Sequence, residues 1–558
     1  MDKRRWLVIG SAAALTLAVG LPQAAHAAGA NGTKKASGRA SRVVHHAGRM
    51  PGGHTGDFNA DGFADLAIGA PFEDLGSGNS IKNAGAVSVI YGSATGLSSA
   101  GNQLWTEDAV GIDPSETGDQ FGKAITVGDF NGDGVDDLAI GAPFEDIGTA
   151  VDTGAVTILY GTAGVGLTST NAQFVSEQGL IDGPENGDQF GASLAAGDFN
   201  GDLVSDLGVG VPGEDLVNDA DAGAVDVLYG VQGTGLTTTG NQIWSQASDG
   251  IIGERQPGDR FGFSMTAADF GNGPEDDLAI GSPYDSENAI VASGSVNVIY
   301  GSPTGLTSTG NQRWLQDSPG VIGASETGDH FGWDVAAAEM GNGAGADLAV
   351  GVPGEDLGSG NSIKDAGAVT VLYGSPTGIT SVGNQFWNQN STDVLGDSGT
   401  SDQFGTSLAA ADLGNTAEAD LAVGVPGDKV GTKSNVGAVN VLYGSPTGLL
   451  ATGNQLWSQD SAGVMGVAEA GDAFGFDLAA ANFGIDPAAD LAVGVPTEDL
   501  VGSSKVNVGS VNVLYGSPTG VTSTGNQSWT QDSAGIIGIA EVGDEFGRGL
   551  GFASTSPG

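Results

Sequence analysis

Two short segments of the sequence carry acidic and amide side chains at a spacing that suits a hard metal ion. The first has Asp57, Asn59, Asp61 and Asp65, and the second repeats the pattern with Asp129, Asn131, Asp133 and Asp137. Calcium takes about six to eight oxygen ligands in a flexible geometry, and one loop of this kind can supply several of them. Gly62 and Gly134 follow the third oxygen residue, where the chain must turn sharply. The sequence therefore predicts one calcium ion in each segment.

The pattern differs from an EF-hand, because Ile68 and Ile140 stand where that loop has its final glutamate. A third segment keeps all four oxygen residues, Asp198, Asn200, Asp202 and Asp206, but has Leu203 in the glycine position. We predict a third calcium ion there. The alternative for all three segments is a turn in which the Asp and Asn side chains hydrogen-bond their own backbone.

Four further copies of the segment have lost part of the oxygen set. They begin at Asp269, Glu339, Asp412 and Asn482. The first three have no acidic or amide side chain at the third and fifth positions, and the last keeps Asp486 and Asp490. We expect these copies to keep the turn without binding an ion tightly.

These segments belong to a unit of about 70 residues that occurs seven times. Each segment precedes a short apolar strand that ends in Gly-x-Pro, and a second strand ends in tyrosine, as at Tyr91. Asn-Gln-x-Trp follows, ending at Trp105, Trp244, Trp314, Trp387, Trp457 and Trp529, and the second copy has Phe174 instead. The unit closes with Gly-Asp-x-Phe-Gly, as at residues 118–122, which opens one more strand.

Four short strands per unit cannot bury their own faces, and four-stranded units in radial array form a β-propeller. The first copy begins at Asp57 without a Phe-Gly strand before it, while residues 546–552 form a Phe-Gly strand without a following segment. We therefore predict an all-β, seven-bladed propeller in which the C-terminal strand completes blade 1. A linear solenoid is the alternative, but it does not require a split repeat.

Composition excludes several classes of protein. The 558 residues include 98 glycines and no cysteine, and the formal net charge is −49. Glycine at this frequency disfavours long helices. The missing cysteine excludes disulfides, thiol catalysis and cysteine-based zinc sites. We expect no nucleic-acid partner, because phosphate attraction requires a basic surface.

The ends of the sequence differ from the repeats. Residues 1–27 have a short basic region, an apolar stretch and the Ala-His-Ala pattern of a signal peptide, with a retained anchor as the alternative. Residues 28–56 are basic without a hydrophobic period, which predicts a flexible linker. Residues 57–553 form the propeller and residues 554–558 a tail. We expect a secreted monomer without a membrane span in its mature form.

One unit combines Phe121-Gly122, the segment from Asp129 to Asp137 and Gly141-Ala142-Pro143. This combination resembles the FG-GAP repeats of the integrin α-subunit propeller, and it recurs across residues 57–553. The resemblance implies a seven-bladed propeller whose calcium ions lie between the first and second strands of a blade, held by the twelve residues named above. Integrin propellers carry these loops in later blades, whereas here they are in the first three, so ligand preference does not transfer.

In propeller topology, two sets of acidic residues would share the face opposite the calcium loops. One set follows the Gly-x-Pro strands: Glu73, Glu145, Glu214, Glu355 and Glu498. The other lies in the closing turns: Asp119, Asp188, Asp259, Asp329, Asp402, Asp472 and Asp544. This ring of carboxylates could recruit cations or basic or polyhydroxylated ligands, or each aspartate could cap its own turn.

We expect a non-catalytic protein of adhesion or recognition whose partner is an extracellular protein or a cell-surface polysaccharide. A carbohydrate-binding propeller is the first alternative, with the repeated tryptophans as stacking platforms. The second is a hydrolase with its site on the acidic face, although catalysis would normally break the repeat symmetry at one place. A structural component of the envelope or matrix is a third possibility.

Overall fold

A computed structural model of the chain describes residues 56–217, 219–500 and 504–551. The predicted signal peptide, nearly all of the linker and the tail lie outside these residues, as do residues 552 and 553. The described part contains 28 strands and one short helix, α1 (Glu107–Val110). It includes no helix with the length and apolar character needed to cross a membrane.

The strands form seven four-stranded antiparallel sheets, here blades 1 to 7. Blade 1 has β1 (Leu66–Ala70), β2 (Ala86–Tyr91) and β3 (Ser98–Trp105), together with β28 (Gly549–Gly551). Blade 2 has β4 (Ala124–Gly128), β5 (Asp137–Ala142), β6 (Ala155–Tyr160) and β7 (Thr168–Val175). Blade 3 has β8 (Ser193–Gly197), β9 (Asp206–Val211), β10 (Ala224–Val231) and β11 (Gly235–Trp244).

The remaining blades repeat this order. Blade 4 has β12 (Ser264–Ala268), β13 (Asp277–Ser282), β14 (Ser295–Tyr300) and β15 (Thr307–Trp314). Blade 5 has β16 (Val335–Ala338), β17 (Asp347–Val352), β18 (Ala368–Tyr373) and β19 (Thr380–Trp387). Blade 6 has β20 (Leu408–Ala411), β21 (Asp420–Val425), β22 (Ala438–Tyr443) and β23 (Leu450–Trp457). Blade 7 has β24 (Leu478–Ala481), β25 (Asp490–Val495), β26 (Ser510–Tyr515) and β27 (Thr522–Trp529).

The first strands of neighbouring blades contact one another in a closed ring, in which β28 lies between β24 and β4. These strands are short and rich in alanine, as in β16, β20 and β24, since little space is left near the axis. The two middle strands of each blade are almost wholly buried. The outer strands are half exposed and carry mostly polar side chains.

The ring closes as the split repeat predicts. β28 pairs antiparallel with β1, with Leu550 opposite Ile68. Residues from the two ends of the chain therefore share one blade, which leaves β1 without an exposed edge. The all-β seven-bladed propeller is confirmed.

Seven apolar clusters hold the blades together, and each cluster draws its residues from two neighbouring blades. The repeated tyrosines and glutamines link the same neighbours by hydrogen bonds. Tyr91 Oη donates to Gln103 Oε1 at 2.7 Å and accepts from Leu167 N of blade 2 at 3.2 Å. Tyr515 makes the equivalent contact to Leu97 of blade 1, so this linkage also closes the ring.

The strand register corrects one repeat assignment. Val175 pairs with Val156 in blade 2, just as Trp105 pairs with Val87 in blade 1. Phe174 therefore lies at the position before the tryptophan, not at the tryptophan position. The connection from Tyr160 to the start of β7 is one residue longer than its counterpart in blade 1, and this displaces the match by one.

Candidate metal centres

The loop before β1 is folded around its own carboxylates. Asp57 accepts hydrogen bonds from the backbone N–H groups of Asp61 and Gly62, at 3.0 and 2.7 Å. Asp61 accepts from Phe63 N at 3.1 Å. These contacts curl the loop so that the side chains of its first and fifth residues belong to one turn, which both the calcium interpretation and the alternative of a self-bonded turn predict.

The loops of blades 2 and 3 have the same hydrogen bonds. Asp129 accepts from the backbone of Asp133 and Gly134, and Asp198 accepts from that of Asp202 and Leu203. Leu203 adopts a φ of +74°, close to the +95° of Gly62 and the +87° of Gly134. The third loop therefore keeps the shape of the other two despite its missing glycine.

The last aspartate of each loop has a structural role that the sequence analysis missed. Asp65 accepts from Phe58 N and from Gly92 N, both at 2.9 Å, and so ties the loop to the end of β2. The same pair of contacts recurs in every blade, including those with degenerate loops, through Asp137, Asp206, Asp277, Asp347, Asp420 and Asp490. Blades 1–3 are therefore distinguished by having oxygen-bearing side chains at both the third and the fifth loop positions.

Burial disfavours the charged forms of the loop aspartates. Desolvation, with neighbouring carboxylates adding to it, raises the pKa of Asp65 to about 8 and those of Asp137 and Asp206 to about 9. Asp57 and Asp198 have pKa values shifted upward for the same chief reason. A cation bound in the loop would favour the charged forms of these aspartates. The oxygen side chains of the loop are the ligand type that calcium takes.

The degenerate loops have a different turn. Asp269 and Asp412 accept a hydrogen bond from the backbone N–H two residues ahead, at Gly271 and Gly414. Asn482 does the same with Gly484. The side chain of the first loop residue therefore bonds to the backbone two residues ahead, whereas in blades 1–3 it bonds to the backbone four and five residues ahead. These loops keep a turn without the full set of oxygen side chains.

The acidic residues expected on the opposite face are mostly buried between blades. The loop glutamate Glu145 is 1 % exposed, and Asp119 is 2 % exposed. Each turn aspartate accepts the backbone N–H of the residue three places before it; these aspartates are Asp119, Asp188, Asp259, Asp329, Asp402, Asp472 and Asp544. The turn-capping interpretation therefore accounts for them, and they do not present an open ring of carboxylates to a ligand.

The structure brings together two acidic groups that the sequence analysis did not identify. Within the described residues, three carboxylates converge to within 4.8 Å at two places: Glu107, Asp119 and Glu145, and Glu177, Asp188 and Glu214. A signal was available, since Glu107 and Glu177 stand where the other five copies have glutamine. None of the twelve predicted loop residues belongs to either group.

A cavity of about 890 Å³ opens where the first strands of the blades begin. Part of its wall is a group of aromatic rings, with Phe263 and Trp333 5.0 Å apart and Tyr284 and His330 5.1 Å apart. Lys123 and Arg548 also line it. We call these six residues the channel mouth.

The repeated tryptophans lie elsewhere. Each is partly buried and packs against one of the clusters between blades, as Trp105 and Trp314 do. They contribute to packing between blades, which accounts for their repetition without a role in sugar binding.

A search with known family models matches the FG-GAP repeat at residues 52–90, 121–159 and 190–228. Bovine phosphatidylinositol-glycan-specific phospholipase D is 35 % identical over 157 residues, which are 28 % of this chain and 18 % of that protein. Integrin alpha-PS5 of Drosophila melanogaster is 33 % identical over 163 residues, or 29 % of this chain and 14 % of that one. This chain therefore spans less than a fifth of either relative.

Among solved structures, the rhamnogalacturonan lyase YesX is 13 % identical and covers 73 % of this chain and 78 % of its own. Its TM-score of 0.31 carries no inference about fold or activity.

The seven closed sheets, with acidic loops between their first and second strands, define a seven-bladed β-propeller. Three segments of the chain match the FG-GAP repeat, and the chain is similar there to integrin α subunits and to the phospholipase. Its three matched segments are the ones that contain the three complete loops.

Proposed function

We propose that this is a secreted, calcium-stabilised propeller that binds an extracellular protein or a cell-surface polysaccharide and performs no catalysis itself. The observation that carries the proposal is the coincidence of three matched FG-GAP segments with three complete oxygen-bearing loops. The signal-peptide pattern of residues 1–27 supports export. Relatives with known names include both integrin subunits and a phospholipase, so the printed names alone do not decide between binding and catalysis.

In this proposal each ion is held by the first, third, fifth and last residues of its loop, as by Asp129, Asn131, Asp133 and Asp137. The ion would also reinforce contacts between blades, since the loops are joined to one another. Asp136 of the blade 2 loop accepts hydrogen bonds from Gly56 N and Asp57 N, at 2.9 and 3.1 Å. Fixing one loop therefore restrains the next.

The calcium part is tested by Asp133→Ala, with bound calcium counted by plasma emission after equilibrium dialysis. Asp133 accepts only a local backbone hydrogen bond, from Val135 N, so its removal spares the rest of the fold. We expect the loss of one ion and a lower melting temperature in calcium. Saturation at 100 times the dissociation constant is worth about 2.7 kcal/mol.

Asp486→Ala is the matched control, because Asp486 has the same loop position in blade 7 but has Gly484 two residues before it. It should leave the calcium count unchanged. An Asp133→Ala protein that keeps its full complement of calcium would refute the loop assignment.

A polysaccharide ligand is the second candidate, and the channel mouth favours it. Partly exposed aromatic rings stack well on sugar rings, and here they adjoin cationic groups in an otherwise anionic molecule. Arg260 lies over the Tyr284 ring at 5.3 Å, and Lys123 and Arg548 line the same cavity. Two cationic side chains, Lys123 and Arg548, line the cavity together with Asp334, Asp365 and Asp477. Charged groups of both signs beside aromatic rings suit a polyhydroxylated sugar.

The test is retention of the full chain on immobilised acidic and neutral polysaccharides and on matrix proteins, in calcium and in chelator. Trp333→Ala should reduce retention at least tenfold on the polysaccharide that binds. Val382→Ala removes an exposed apolar side chain from β19 and is the control. Retention on a protein that Trp333→Ala does not affect would favour the adhesion proposal, and release of shortened products would identify a hydrolase.

A further inference from the structure

One position makes the same contact between blades in most of the molecule. It is the second residue after the tryptophan position, and in five copies it is glutamine: Gln246, Gln316, Gln389, Gln459 and Gln531. Each amide Nε2 donates to a carboxylate in the loop of the next blade, at 2.5–3.2 Å; the acceptors are Asp285, Glu355, Asp428, Glu498 and Glu73. At five interfaces, an uncharged amide therefore donates a hydrogen bond to a carboxylate of the next blade.

The other two interfaces have glutamate at this position. Glu107 meets Glu145 and Asp119 between blades 1 and 2, and Glu177 meets Glu214 and Asp188 between blades 2 and 3. All six residues are at most 2 % exposed. Among the residues that the structure describes, neither oxygen of Glu107 or of Glu177 has a hydrogen-bond partner. The glutamine amide, a hydrogen-bond donor, is thus replaced by a carboxylate that lies beside two other carboxylates.

A second substitution accompanies the first. Six residues before the turn aspartate, the five glutamine-containing copies have glycine: Gly253, Gly323, Gly396, Gly466 and Gly538. The two glutamate-containing copies have Asp113 and Asp182 there. This position faces the group, since a Cβ at Gly396 would lie 2.8 Å from Gln389 Nε2. Asp113 interacts with Glu145, and Asp182 with Glu214.

The first cluster is therefore Glu107, Asp113, Asp119 and Glu145, and the second is Glu177, Asp182, Asp188 and Glu214. Within the described part of the chain, no lysine or arginine forms an ion pair with any of these eight residues. Arg313 supplies such a charge at the interface of blades 3 and 4, where it pairs with Asp285 at 2.6 Å. Buried carboxylates need a cationic partner, a metal or a proton.

We propose that the two clusters are calcium sites that join blade 1 to blade 2 and blade 2 to blade 3. Oxygen is the only donor type in either cluster, which selects hard cations. Several carboxylates from separate loops suit the larger and less regular coordination of calcium better than the strict octahedron of magnesium. Asp113 and Asp182 are more exposed than the other members, so an ion can enter past them.

The test counts calcium bound to the full chain after equilibrium dialysis, with magnesium as competitor. Glu107→Gln should lose one ion, and Glu107→Gln combined with Glu177→Gln should lose two. Both substitutions install the residue that five interfaces already contain, so the fold is retained. Glu116→Gln makes the same chemical change on an exposed residue outside the clusters and should leave the count unchanged.

Thermal melting gives an independent readout. In chelator, the double variant should melt at a higher temperature than the unmodified chain, because an amide again faces Glu145 and Glu214. In saturating calcium that advantage should vanish or reverse. Asp133→Ala, which acts on a loop, should remove an ion from both proteins equally, so failure of the loop proposal and of this one are distinguishable.

An unchanged calcium count in the double variant would overturn the inference. So would a double variant that melts above the unmodified chain by the same amount in calcium and in chelator. That result would mean that the carboxyl groups share protons and bind no metal.

Discussion

At the scale of single residues, the three loops show which parts of a calcium pattern are specific. The last aspartate is kept in all seven blades because it ties the loop to the strands, so its presence says little about an ion. The side chains of Asn59 and Asp61, with their counterparts in blades 2 and 3, separate complete loops from degenerate ones. Residues without a separate structural role are therefore the better evidence for a bound ion.

Leu203 gives a prediction at this scale. A left-handed conformation costs a non-glycine residue about 1–2 kcal/mol, and glycine itself loses about 0.5–1 kcal/mol through backbone entropy. Leu203 is 64 % exposed, so little burial is lost on its removal. Leu203→Gly should therefore stabilise the protein by roughly 0.5–1 kcal/mol in calcium, measured by calorimetry. Leu203→Ala keeps the Cβ and should gain nothing; an equal gain would show that strain at this residue is not the cause.

At the scale of elements, the Phe-Gly and Gly-x-Pro motifs are two sides of one contact. A Cβ on Gly141 of β5 would lie 2.1 Å from the carbonyl oxygen of Gly191, which opens blade 3. The same close approach relates Gly69 to Gly122, at 2.0 Å. The motifs therefore mark where the backbones of adjacent blades touch.

Gly141→Ala should accordingly destabilise the protein by about 1–3 kcal/mol, the usual cost of forcing extra volume into a packed site. The unfolding transition in urea would measure it. Gly183→Ala is the control, since a Cβ there would have no neighbour within 4 Å. Equal effects of the two substitutions would argue against a specific contact between blades.

The sequence was sufficient for the fold because the 70-residue period, the four strand patterns and the split first repeat are all local signals. It was insufficient for the acidic face, because the burial of Asp119 and Glu145 depends on how one blade packs on the next. It also misplaced Phe174, since an insertion of one residue in an adjoining loop is invisible without the strand register. Glu107 was overlooked because its meaning appears only beside the glutamines of other copies.

At the scale of the whole molecule, the features that suit cations are confined to blades 1–3. Blades 4–7 close their interfaces with glutamines and their loops with turns that lack the full oxygen set. Acidic residues nevertheless occur in all seven blades and give the whole chain a formal net charge of −49. Buried carboxylates with raised pKa values therefore remain in the glutamine-containing interfaces as well.

This predicts an unusual dependence of stability on pH when calcium is absent. Desolvation raises the pKa values of Glu73 and Glu355 to about 8, with Asp544 and Asp329 respectively adding to the shift. Each folded-state value exceeds the unfolded one of 4.5, so the folded protein binds these protons more tightly. The resulting stability is complete below the unfolded pKa and is lost as the pH rises through about 8.

In chelator, the melting temperature should therefore increase as the pH is lowered from about 8 towards 5. The free energy of unfolding gains at most about 1.4 kcal/mol for each unit of pKa shift. Replacing Glu73 and Glu355 with glutamine should reduce that slope and stabilise the protein at pH 8. A melting temperature that falls steadily on acidification over this range would contradict the prediction.

The pairing of β28 with β1 has a consequence for the order of events during synthesis. Residues 66–105 leave the ribosome long before residues 549–551, so blade 1 exists for most of that time as three strands with one unpaired edge. Such an edge invites pairing with other chains. We therefore expect folding to be ordered in time, with blade 1 completed only when the last strand is available. The first blade begun is the last one finished.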